Sequence, residues 1–201
     1  MRAHVMTVTT LLLALGGCSG VDQVNQTEVS GTYTAAAVSD AVFDRDLKTV
    51  VIGDPFATAA TPVAKPAFDQ AVVDLLTSAG TRPATHYTTT PGATAKPDYR
   101  IVLAFNTAAK RPAGQLCMAA DPAASETVLA PPPGTGPVDV SVQAALCHGG
   151  GAMTAANGVV SAVSGPDAPG FRHLLWDVGY SLFPVNDSRS QGGPCGLSQP
   201  C

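Results

Sequence analysis

Basic side chains are scarce in this chain: eleven Lys and Arg in 201 residues, nowhere clustered. Nucleic acid rewards dense positive charge, so it is not an expected partner, and no polybasic patch marks a site for anionic lipid. Aromatic residues are few as well. The chain holds one Trp and four Tyr, so a surface that gathers them needs a reason. The segments G-x-S-x-G, H-E-x-x-H and C-x-x-C are all missing. Their absence removes the usual signatures of a nucleophile elbow, a zinc protease and a paired-cysteine zinc or redox site. The expectation is a protein that is not an enzyme and that uses no metal or cofactor.

The apolar run at the start, residues 5–15, contains three threonines and follows a short segment with one fixed positive charge. It falls short of the ~20 apolar residues that a membrane-spanning helix needs, and it has the layout of a secretory signal. Leu15-Gly16-Gly17-Cys18 closes it. This quartet resembles the lipobox of bacterial lipoproteins. The resemblance implies removal of residues 1–17, a diacylglycerol thioether on Cys18 and acylation, of the palmitate type, at the new N-terminus. Several chains on one residue anchor stably, since each buried CH₂ contributes about 0.8 kcal/mol. In that family an aspartate after the cysteine marks inner-membrane retention. Ser19 stands there instead, which implies the outer membrane, facing the periplasm, with the inner membrane as the other option.

After cleavage the side chains carry ten Lys and Arg against fifteen Asp and Glu, a net of −5. Four cysteines remain: Cys117, Cys147, Cys195 and Cys201. An even number in an exported chain reads as two disulfides, with three pairings open. Cys117–Cys147 with Cys195–Cys201 is favoured, because turn formers in Gly-Pro-Cys-Gly-Leu-Ser-Gln-Pro-Cys can close a small ring. Spacings of 30, 48 and 6 residues do not fit a zinc site.

Residues 18–46 are polar and rich in Thr and Ala, and read as lipid anchor and tether, with a short ordered lead-in near residues 35–43. Thr49-Val50-Val51-Ile52 reads as a buried strand ended by Gly53-Asp54-Pro55. Pro66 opens a helical pattern with Phe68, Ala71, Val72, Leu75, Leu76 and Ala79 on one face, and Gly80 is placed to end it. Residues 82–97 read as a surface loop, and residues 99–105 as a strand with Ile101, Leu103 and Phe105 on one side. A short strand is expected around Cys117. Residues 138–147 alternate cleanly, with Cys147 on the face opposite the valines. A turn at Gly149-Gly150-Gly151 leads into a return strand in residues 152–163, its register left open by Asn157-Gly158. Phe171, Leu174, Leu175, Val178 and Leu182 repeat at helical spacing between Pro169 and Pro184.

This order predicts an α+β, two-layer domain over residues 47–183: a mixed sheet of four or five strands with two helices on one face. A disulfide-containing tail, residues 184–201, follows. The helix running into Gly80, Pro97-Asp98-Tyr99 opening a strand, and the terminal Leu182-Phe183-Pro184 together give a layout similar to the small α/β domains of transport-auxiliary and cell-wall-synthase-activator lipoproteins.

Candidate chemistry is thin. His148 beside Cys147 makes a nucleophile only if the cysteine is free. Asp54 after its strand is placed to line a site or simply to fix a turn. On the last helix His173, Trp176 and Tyr180 fall opposite the core stripe. Trp and Tyr are enriched at binding hot spots, so these three are the partner-binding candidates, unless the tail covers them. The function expected is a membrane-anchored lipoprotein that binds an envelope protein or supports an envelope complex. The alternative is a lipoprotein that binds a small ligand or a cell-wall component.

Overall fold

The computed structural model describes residues 23–57, 62–81, 83–108, 110–118 and 136–185. Six strands form one mixed sheet: β1 (Gln23–Val29), β2 (Asp46–Ile52), β3 (His86–Thr88), β4 (Tyr99–Phe105), β5 (Val138–His148) and β6 (Gly151–Val163). Their order is β1-β6-β5-β4-β2-β3. β2 pairs parallel with both β4 and β3, and the other neighbours are antiparallel. The helices are α1 (Ala35–Val42), α2 (Lys65–Ser78), α3 (Ala113–Met118) and α4 (Pro169–Leu182). The α+β class is as expected, but the sheet has six strands, more than the four or five anticipated.

The main core lies where α1, α2 and α4 cover one face of the sheet. Phe56, Phe68, Phe105 and Phe171 meet there with ring centroids 5.2–6.0 Å apart. Each is fully buried, worth about 1.5–3 kcal/mol of transfer free energy. Ile101, Leu103 and the even-numbered apolar residues of β5 point into the same core. α2 begins with a proline in its first turn, which has no N–H to leave unpaired, and ends as expected before Gly80, whose φ of +61° suits glycine. α4 likewise begins at Pro169. Gly158 lets it approach closely, since a Cβ there would lie 2.5 Å from Leu174 Cδ1.

Three expectations change, and one register left open is settled. Residues 23–29 are not tether but β1, which adds antiparallel to β6, while the short ordered lead-in near residues 35–43 is α1, capped by the Thr34 hydroxyl and burying Val38, Ala41 and Val42. The loop at residues 82–97 contains β3, which buries Tyr87 at the far edge of the sheet. The segment around Cys117 is a helix, α3, because only a helical turn puts Ala113, Leu116 and Cys117 on one side. Asn157-Gly158 stays in register with Gln143 and Val142. The irregularities of the β5–β6 pairing fall instead near Met153 and between Val160 and Val163.

α3 lies on the opposite face of the sheet from the other helices. Leu116 and Cys117 pack there on Ile52, Val102, Ala104, Ala145, Cys147 and Ala155. The anticipated face opposite the β5 valines is where Cys147 stands, joined to Cys117 with Cα atoms 5.6 Å apart. The Arg100 guanidinium donates to the Cys117 carbonyl from β4. Cys18, Cys195 and Cys201 lie outside the described residues.

Candidate functional site

The sequence places Tyr180, Trp176 and His173 on one side of α4, and the structure separates their environments. His173 and Tyr180 are exposed, Tyr180 by 55%. Trp176 is half-buried. The His173 ring stacks on it at 5.9 Å, and the Arg172 guanidinium carbon lies 6.0 Å from its ring. Its indole Nε1 is buried and finds no hydrogen-bond partner among the described residues. The Tyr180 hydroxyl donates to the Ala79 carbonyl at the end of α2, 3.0 Å away. The ring of Tyr180 is therefore held in place while part of its surface stays open.

Tyr180 also borders a groove that sequence reasoning missed. Gln23, Val24 and Asn25 of β1 form one wall, and Asp177, Tyr180 and Ser181 of α4 form the other, around about 490 Å³. Gln26 ties the two walls by donating from Nε2 to the Ser181 carbonyl at 2.6 Å. Beyond the groove, Tyr33 donates to the Pro184 carbonyl at 2.7 Å and Thr154 to the Leu182 carbonyl at 2.6 Å. These bonds fix the end of α4 against the strands. A smaller cavity of about 200 Å³ lies on the other face of the sheet, among Thr27, Glu28, Arg111, Leu116, Gln143 and Asn157. The one local signal for β1 is its pair of valines. Val24 and Val29 both pack on the main core, an odd spacing that the β-bulge between Gln26 and Glu28 reconciles.

The remaining candidates are not brought together. Cys147 is in a disulfide, so it is not a thiolate for His148, whose ring instead packs on Tyr99 at 4.6 Å. His86 opens β3 and is exposed, with its two ring nitrogens 3.8 and 3.9 Å from Asp44 and Asp46. Asp54 is 8% exposed. Burial raises its pKa, while the Phe56 N–H donating to Oδ1 at 2.8 Å and the charge of Lys65 act against that rise. Lys65 itself donates to the Val51 carbonyl at 2.9 Å and pairs with Asp69. This is turn-fixing chemistry at the end of β2. Tyr87 is pushed up to about 12 by burial, with its hydroxyl bonded to that of Thr81. Among the described residues no three metal-ligating side chains cluster, and no helix is long and apolar enough to cross a membrane.

No protein-family model matches the chain, and no curated protein matches it. Among solved structures it is similar to a leucine-to-methionine variant of the PelC dodecamer from Paraburkholderia phytofirmans. That match has 16% identity over 81% of this chain and 98% of that chain, with a TM-score of 0.41. A second structure of the PelC dodecamer from the same organism matches with 14% identity over the same shares and a TM-score of 0.38. A likeness this distant assigns neither family nor function.

Proposed function

We propose that this chain is an exported lipoprotein, held at the outer membrane by acylated Cys18, whose folded domain faces the periplasm and binds a protein partner of the cell envelope without catalysing a reaction. The observation that carries the binding role is the open margin between β1 and α4, where exposed Tyr180 stands beside a polar groove. An oriented aromatic with a polar neighbour is the side-chain chemistry of binding hot spots. Two features support the compartment. One is the Leu15-Gly16-Gly17-Cys18 quartet. The other is the buried Cys117–Cys147 bond, of the kind that persists in oxidising compartments.

Two measurements test the reading. Intact mass of the mature protein should begin at Cys18 and carry the added mass of acyl chains, and Cys18→Ser should leave the membrane fraction or accumulate as an uncleaved precursor. A lipid-free wild-type mass removes the anchor. Affinity capture from solubilised membranes should recover one envelope protein in stoichiometric amount. If no protein is recovered and a defined cell-wall fragment saturates the groove instead, the domain is a ligand-binding module.

A further inference from the structure

The two edges of the sheet are built differently. β3 is three residues long and lies between Pro83 and Pro91. Short edge strands and nearby prolines are standard protection against unwanted strand pairing. β1 is seven residues long and contains neither Pro nor Lys. Among the described residues it pairs with β6 alone, and its burial alternates only weakly, with Gln23 and residues 25–28 exposed. Its first half is regular: Gln23, Val24, Asn25 and Gln26 keep unbroken register with Val159, Gly158, Asn157 and Ala156. The bulge begins only after Gln26.

That regular half is also the wall of the groove. A strand edge running beside a helix, with a cleft between them, is the geometry in which an extended peptide adds to a sheet. The main chain supplies the hydrogen bonds, and alternate side chains enter the cleft. The cleft has a charge preference. Asp177 faces it, is exposed and makes no ion pair among the described residues. Neither β1 nor the C-terminal half of α4, residues 177–182, carries a Lys or Arg. Tyr180 presents an aromatic surface that suits an aliphatic stem or a cationic head.

Building on the partner-binding reading above, we infer that the partner docks by β-augmentation: an extended, basic segment adds as a seventh strand along Gln23–Gln26 and places a Lys or Arg side chain between Asp177 and Tyr180. Four residues of edge span about 13 Å, enough for two to three main-chain hydrogen bonds. Cys18 lies five positions before β1, so in the anchored protein this edge lies near the membrane, where a juxtamembrane segment of the partner can reach it.

The test uses the full mature chain, made soluble by Cys18→Ser, and capped heptapeptides. The first alternates lysine and valine. The second replaces lysine with glutamate. The third keeps the lysine sequence but is N-methylated on the amides that face the edge. The lysine peptide is expected to shift and protect the backbone amides of Gln23–Gln26. The N-methylated peptide should bind about tenfold or more weaker, because its hydrogen bonds are gone. The glutamate peptide should also bind more weakly than the lysine peptide, and Asp177→Asn should cost the lysine peptide about two- to five-fold. Equal binding of the N-methylated or glutamate peptide, shifts on another surface, or no binding at millimolar peptide overturns the inference. Concentration-dependent protection of Gln23–Gln26 without peptide also overturns it, in favour of pairing with a second copy. The two readings fail separately. A stoichiometric envelope partner that leaves β1 amides unprotected keeps the partner and removes the edge. Lysine-peptide binding with no recoverable envelope partner does the reverse.

Discussion

Removing the Cys117–Cys147 bond should lower stability by an amount that the loop it closes sets. The two cysteines are 30 residues apart, and the chain-entropy model assigns a loop of that length about 3.5 kcal/mol at 25 °C. The replacement matters. Both sulfurs are fully buried on the α3 face of the sheet, among Ala145, Ala155 and Leu116. Alanine there adds no unpaired polar group, whereas serine buries a hydroxyl at about 1–3 kcal/mol each. Cys117→Ala with Cys147→Ala should therefore stay folded at 25 °C with Tm lowered by about 7–14 °C, taking about 2–4 °C per kcal/mol for a domain of this size. Circular dichroism melts of parent and double variant, with and without reductant, measure this. With Cys195 and Cys201 replaced by alanine in both proteins, reductant should move the parent onto the variant and leave the variant unchanged. Hydrogen exchange should rise first in α3, whose ties besides the disulfide include the packing of Ala113 and Leu116, the Arg111 N–H bond to Gln143 Oε1 and the Arg100 bond to the Cys117 carbonyl. A double variant that melts within about 1 °C of the parent would mean that α3 is held by packing alone, and the support that the bond lends to an exported location would go with it.

Four further outcomes follow from packing, titration and hydrogen bonding. Gly158→Ala should destabilise by about 1–3 kcal/mol, since its Cβ meets Leu174 Cδ1 at 2.5 Å and Val24 Cγ2 at 3.1 Å. Gly31→Ala, with nothing within 4 Å of its Cβ, should be neutral or slightly stabilising in the same melts. Asp54 keeps its proton more readily folded than unfolded because burial raises its pKa above 3.8. Its contribution to stability is therefore present below that value and is lost as pH rises through the raised one. Asp54→Asn keeps an acceptor for the Phe56 N–H, so its stability relative to the parent should climb from about pH 4 upward in urea titrations; a constant difference across pH removes the argument. Tyr180→Phe loses the bond to the Ala79 carbonyl, at most about 1 kcal/mol, and should change Tm by no more than a few degrees while leaving peptide binding largely intact.

The sequence was most legible where a period is long and its ends are marked. α2 and α4 repeat apolar residues at helical spacing between a proline and a stop, β4 is an unbroken apolar run from Ile101 to Phe105, and β5 alternates apolar and polar side chains from Val138 to Gln143. It was least legible at the margins of the sheet. β1 has only two valines, and the bulge breaks their alternation, so its polar sequence reads as tether. β3 is too short to show a period, and its buried Tyr87 is its only core signal. Around Cys117 a six-residue segment is ambiguous between strand and helix, and the packing of Leu116 and Cys117 on the second face decides it. The exposure of His173 and Tyr180 follows from helical angle, but the partial burial of Trp176, with His173 stacked on it and Arg172 beside its ring, does not. The groove was beyond reach because its walls, residues 23–25 and 177–181, meet only through the pairing of β1 with β6.

The central claim is that the β1–α4 margin is where the anchored protein meets its envelope partner. A photo-crosslinking residue introduced at Asn25, with a second at exposed Gln70 on α2 as control, addresses it in intact cells. The account predicts one discrete adduct with an envelope protein from position 25, diminished by Asp177→Asn, and none from position 70. An adduct from position 70 alone, or a partner that co-purifies in full while position 25 never crosslinks to it, would contradict the account.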